Sequence, residues 1–169
     1  MSLYKLGIVG TGNTLAGDDG AGNSVVNMLR ERFPQMEDVL LYNLETDPLE
    51  LWDVLPRAEA FIFVDAFAGD PPGRLVTADR SSCARAYAPS LHQMDLATVM
   101  DRLCGLIDGP EPSWSIWGVT ARIPEELGEG LSPEVSEAVE VIVEKLSQRI
   151  REGNYSTEAP GIFERMFTT

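Results

Sequence analysis

At 169 residues the chain is one domain's worth of polypeptide, able to bury a core without disulfides or a structural metal. Its 13 basic against 27 acidic residues leave a net charge of −14, which argues against a nucleic-acid groove or an anionic membrane surface and favours a protein or cationic partner. It has only two cysteines, Cys83 and Cys104, without C-x-x-C spacing, no signal-like start over residues 1 to 9 and no run of about 18 apolar residues. The expectation is a soluble cytoplasmic protein with reduced thiols.

In chain order, residues 4–9 read as a strand that enters the glycine-rich turn Gly10 to Gly22. The turn carries Asn13 and the adjacent carboxylates Asp18 and Asp19 at the point where a helix begins. A dinucleotide loop needs bare N–H donors there for a pyrophosphate, and two carboxylates would repel it. A helix N-terminus instead favours negative charge by about 0.3–1 kcal/mol, which suits Asp18 or Asp19 to hold a cation or polarise a water. The competing reading is that one of them only caps the helix. Ala21, Val25, Val26, Leu29 and Phe33 form the apolar stripe of that helix, and Pro34 ends it.

Val39 to Tyr42 is a second short strand, followed by Asp47-Pro48 as N-cap and first helical residue and by Pro56 as the close of that helix. Ala60 to Val64 is a continuous apolar run, as expected of a parallel strand buried on both faces, and Asp65 is expected to end it. The turn Ala68 to Gly73 leads into Arg74 to Thr77, a short edge strand that can be antiparallel, and residues 79–91 read as loop. His92, the only histidine, sits at a helix start in Ser90-Leu91-His92-Gln93, with Leu96, Val99, Met100 and Leu103 at helical spacing behind it. Trp114 to Val119 is the last strand, and residues 121–131 read as loop. Ser132-Pro133-Glu134 opens a long helix with the stripe Val135, Ala138, Val139, Ile142, Leu146 and Ile150. The expected organisation is a single α/β domain over 1–150 and a tail over 151–169, which either frays, as termini commonly do, or covers a helix face with Ile162, Phe163, Met166 and Phe167.

This alternation specifies a three-layer α/β/α sandwich around a twisted, mostly parallel five-stranded sheet with one edge strand of either direction, of phosphorylase/hydrolase-like type. In such sheets ligands bind beyond the carboxyl ends of the strands. Asp19, Thr46 and Asp65 follow three strands and should share one rim, and the loop before its helix brings His92 within reach of the same rim. Two carboxylates and an imidazole make an open ligand set for zinc, nickel or another divalent ion. Each residue has a plainer reading, Asp65 as a backbone acceptor and His92 as a structural histidine.

Four motifs carry a resemblance beyond this pattern. They are G-x-G-N-x-L-x-x-D-[DE]-G-x-G as Gly10 to Gly22, V-D-A as Val64-Asp65-Ala66, S-x-H-Q as Ser90 to Gln93, and G-L-[ST]-P as Gly130 to Pro133. From about Lys5 to about Leu146 the sequence resembles the nickel-iron hydrogenase maturation endopeptidases. The resemblance implies a metal-binding trio at Asp19, Asp65 and His92, a catalytic part for Asp19 and Asp65, and substrate contacts at Asn13, Thr46 and Gln93. It implies removal of a C-terminal extension from the hydrogenase large-subunit precursor after nickel insertion, with nickel supplied by the substrate and the enzyme acting as a monomer.

Two positions depart from the family. The first ligand, commonly Glu, is Asp19, one methylene shorter, and the usual Gly-Gly-Thr after the second strand is Leu44-Glu45-Thr46, which adds a charge beside the cleft. No serine sits in a G-x-S-x-G elbow and neither cysteine shares a motif with His92, so covalent hydrolysis has no support. The alternative from another class is a chaperone-like module that recognises the nickel-loaded precursor without cutting it.

Overall fold

The computed structural model describes residues 3–44, 47–83, 96, 100, 103–122 and 126–166. Strand β1 (Leu6–Thr11) leads through a 3-10 turn (Gly17–Gly20) into helix α1 (Ala21–Arg32). Strand β2 (Val39–Leu44) is followed by α2 (Leu51–Val54), set between the 3-10 turns Pro48–Glu50 and Leu55–Arg57. Then come β3 (Ala60–Ala68), β4 (Leu75–Asp79), a short α3 (Arg80–Cys83) where loop was expected, β5 (Ser113–Ala121), α4 (Pro133–Glu152) and β6 (Glu164–Arg165).

The sheet has six strands in the order β2-β1-β3-β5-β4-β6. The first four of these are parallel, and β4 is antiparallel to β5. The apolar runs at β1 and β3 are buried on both faces because helices cover both. Alternation along β3 sends Ile62 and Val64 into one core with Val25, Leu29, Ile142 and Leu146 of α1 and α4. Phe61, Phe63 and Phe67 enter the opposite core with Leu51, Leu96, Met100 and Cys104. Each fully buried Leu, Ile or Phe contributes about 1.5–3 kcal/mol of transfer free energy, so these two clusters hold the three layers together.

The helix boundaries follow the local chemistry. Asp47 accepts the Leu49 N–H at 2.9 Å, as a residue before a proline-led turn should. At the end of α4, Gly153 takes a φ of 63° and Asn154 donates to the Arg149 carbonyl at 2.9 Å, closing the helix with a left-handed residue.

Residues 152–166 are held against the domain. Phe163 is buried with its ring 5.1 Å from that of Trp117, and the Arg149 guanidinium lies 4.7 Å from the Trp117 ring centre. The Trp117 indole N–H and the Ser115 hydroxyl both donate to the Thr157 carbonyl, while Arg149 donates to the carbonyls of Ser156 and Glu158. Glu164 and Arg165 then pair with Val76 and Thr77 as a sixth strand, so β4 is not the edge. A terminus is held when aromatic burial and main-chain hydrogen bonds together offset its ordering entropy. No helix among the described residues is long and apolar enough to cross a membrane.

Candidate active site

The site is built where β1 leaves the sheet. Its pairing with β3 stops at Gly10↔Val64, whereas β5 stays paired with β3 through Ala68↔Ala121. Asp65 therefore lies inside the third strand, opposite Gly118, and does not end it as expected. A carboxylate normally closes an apolar run; here the β5 ladder holds the backbone on one side while the departure of β1 opens the other.

The start of α1 presses into that opening. A Cβ at Gly22 would lie 2.0 Å from the Val64 carbonyl oxygen, so only glycine allows this approach. Gly12, at a φ of +124°, turns the chain back so tightly that a Cβ would lie 1.9 Å from the Asp19 carbonyl oxygen. The turn then closes on itself. Asn13 donates its N–H to the Asp19 carboxylate at 2.9 Å and accepts the Leu15 N–H on its side-chain oxygen at 3.0 Å. Asn23, buried in the first turn of α1, donates to the Gly12 carbonyl at 3.0 Å.

Neither aspartate caps α1, whose N-cap is Gly20; both lie in the preceding 3-10 turn. The Asp18 carboxylate accepts the backbone N–H of Ser132 at 2.6 Å and its hydroxyl at 2.8 Å. Ser132 occupies the N-cap position of α4 as expected, but its hydroxyl serves Asp18 and makes no cap bond to the helix. Asp19 is the carboxylate whose charge reaches Asp65.

Asp65 is almost completely buried. Burial pushes its carboxyl up to about 8, and the nearby charge of Asp19 pushes the same way. The Ala66 N–H, which donates to it at 2.8 Å, and the Thr11 hydroxyl favour the ionised form but do not outweigh desolvation. A buried carboxyl thus lies near enough to a second carboxylate to feel its charge, and among the described residues no cationic side chain offsets this. A divalent ion would return Asp65 to its charged form, so this donor pair fits a hard or borderline cation.

His92, Thr46 and Gln93 lie outside the described residues. The residues that follow His92, Leu96 and Met100, are buried in the same cluster as Phe63 and Phe67, the neighbours that alternate with Asp65 on one face of β3. Among the described residues no three His, Cys, Asp or Glu side chains come together. Asn13 is at the rim, with its side-chain oxygen engaged inside the turn.

Three contributors were not singled out from sequence as site residues. Ser132 was read only as a helix start, although its motif held the clue. Thr11 carried no signal. Asn23 did carry one, a polar side chain on an otherwise apolar helix face; its Oδ1 is buried and has no hydrogen-bond partner among the described residues.

A family model described as hydrogenase maturation protease, HycI, matches residues 24–149. The hydrogenase expression/formation protein HupD of Thiocapsa roseopersicina is 29% identical over 149 residues, covering 83% of this chain and 67% of that protein. The maturating endopeptidase HybD of E. coli superposes with a TM-score of 0.71 at 27% identity, over 89% of this chain and 94% of the other. The HycI maturation protease of Thermococcus kodakarensis shares the fold with a TM-score of 0.74 at 23% identity, over 88% and 93% of the two chains. A family match over most of the chain, on a fold shared with these proteases, places the protein in the hydrogenase maturation protease family.

Proposed function

We propose that the protein is the endopeptidase that removes the C-terminal extension of a nickel-iron hydrogenase large-subunit precursor once nickel has been inserted. The single observation that carries this reading is the buried carboxyl of Asp65 at the gap between β1 and β3, within reach of the Asp19 charge, in a chain of this family. Asp19, Asp65 and His92 would hold the ion that the precursor brings. When bound, a cation supplies polarisation of the scissile carbonyl or of a water.

The chain's own residues do the rest. The Asn13 N–H orients Asp19, while the Ala66 N–H holds the Asp65 carboxyl. A carboxyl whose proton comes off near neutral pH is matched to general acid–base work, and Asp65 has that property when no cation is near. The acidic surface of the chain, net charge −14, suits a precursor with basic segments. Incubation with nickel-loaded and nickel-free precursor, followed by mass measurement of the products, tests the reading. Loss of a C-terminal peptide from the loaded form alone is the expected result, and no cleavage of either form would overturn it.

A further inference from the structure

Residues 126–130, all exposed, run past the turn that carries the two aspartates. Gly128 fastens them there. Its N–H donates to the Leu15 carbonyl at 2.9 Å and its carbonyl accepts the Gly17 N–H at 2.7 Å, so that Ala16 and Gly128 form a parallel bridge. Along an extended segment successive residues turn their peptide groups to alternate sides. With Gly128 facing the turn, the peptide groups of Leu127 and Glu129 face away from it, and neither residue has a backbone hydrogen-bond partner among the described residues. An open edge of this kind is where an extended peptide adds by main-chain hydrogen bonds.

What would fit the edge follows from its side chains. Leu127 is 80% exposed and Leu15 is 55% exposed, and they stand one residue apart across the bridge. Exposed Glu126 and Glu129 flank Leu127, on a chain of net charge −14. The edge is also continuous with the candidate active site, because the Asp19 N–H donates to the Ala16 carbonyl at 3.2 Å. A strand lying on it would run within a few residues of Asp19.

We propose that the Leu127–Glu129 edge is a docking strand for the polypeptide that is cut. An extended stretch of the precursor pairs with it through main-chain hydrogen bonds, seats an aliphatic side chain on Leu15 and Leu127, and sets a basic side chain against Glu126 or Glu129. The inference rests on the peptidase reading above and adds to it the way the substrate is held.

The test uses the full chain and a fluorescein-labelled synthetic peptide from the C-terminal region of the large-subunit precursor of the same organism. Leu15→Glu and Leu127→Glu should each weaken peptide binding, read by anisotropy, at least tenfold, which is about 1.4 kcal/mol. Cleavage of the loaded precursor should suffer chiefly in KM, with the unfolding midpoint unchanged because both leucines are exposed. Peptides N-methylated one amide at a time should lose binding at alternate positions, the signature of strand addition. Affinities within twofold of wild type, a methylation pattern without alternation, or a self-association that the leucine variants abolish and the peptide does not compete would overturn the docking strand. A wild-type chain that binds the peptide at this edge but leaves the loaded precursor intact overturns the peptidase reading and keeps the docking strand. Equal binding and cutting by wild type and variants does the reverse, and a chain that neither binds nor cuts overturns both.

Discussion

The carboxylate of Asp18 holds the backbone N–H and the hydroxyl of Ser132, at 2.6 and 2.8 Å, across 114 residues of chain. One partner comes from the glycine-rich turn and the other from the start of the last helix, so two distant sequence motifs are parts of one joint. Asp18 and Asp19 are neighbours in the chain with divided tasks: the first anchors the turn to α4, and the second accepts the Asn13 N–H and places its charge near Asp65.

Removing the hydroxyl by Ser132→Ala should cost about 1.5–3 kcal/mol, the usual value of a hydrogen bond to a charged group, and Asp18→Ala more, because two donors then lose their acceptor. Urea unfolding measures both. If the joint positions the site, processing falls along with stability; full activity in a destabilised Ser132→Ala would show that the turn holds its shape unaided.

The buried carboxyl of Asp65 makes stability depend on pH. The folded chain keeps this proton up to about pH 8, whereas the unfolded chain releases it near its ordinary value of 3.8. The contribution is therefore fully present below about pH 4 and is lost as pH rises to about 8, by at most about 1.4 kcal/mol per pH unit. In chelator, wild type should lose stability relative to Asp65→Asn between pH 5 and pH 8. The variant should be the more stable protein at pH 8 and inactive. Parallel stability curves would contradict this account.

Gly12→Ala places a methyl group 1.9 Å from the Asp19 carbonyl oxygen, at a φ of +124°. A loss of about 2–3 kcal/mol or outright misfolding is expected. Gly161→Ala, which meets nothing within 4 Å, is the control and should stay within about 1 kcal/mol of wild type. Equal effects at the two positions would remove the case for a close approach at the turn.

Phe163→Ala should destabilise the whole domain by about 3 kcal/mol, since its ring is buried against Trp117 and leads into β6. Limited proteolysis offers a second readout: in the variant, cleavage after residue 151 should precede global unfolding, while in wild type the two should coincide.

His92→Ala should fold with wild-type stability and fail to process the precursor. Chelator-treated enzyme should still cut nickel-loaded precursor, and zinc or nickel added to the enzyme should not enable it to cut a metal-free precursor that cannot take up the ion. A hundredfold preference needs only about 2.7 kcal/mol, within the reach of one or two ligand bonds made only with loaded substrate. Restoration of cleavage by zinc after chelation would instead mark an ordinary metallopeptidase.

Local chemistry in the chain was enough to determine the layered α/β architecture and the parallel central strands. Apolar runs of strand length, stripes of helical period and glycines that permit a tight turn act over a few residues, and chain-crossing rules do the rest. Long-range contacts decided the other features. That Asp65 stays inside a strand depends on β5 pairing past the point where β1 leaves. That Asp18 binds Ser132 depends on α4 returning to the turn. The sixth strand depends on Trp117 offering an aromatic face, with Arg149 beside it, to a tail whose few apolar side chains gain a partner only in the folded chain. Each of these is a partnership between residues dozens of positions apart, and the free energy that selects it exists only when the chain has been brought together.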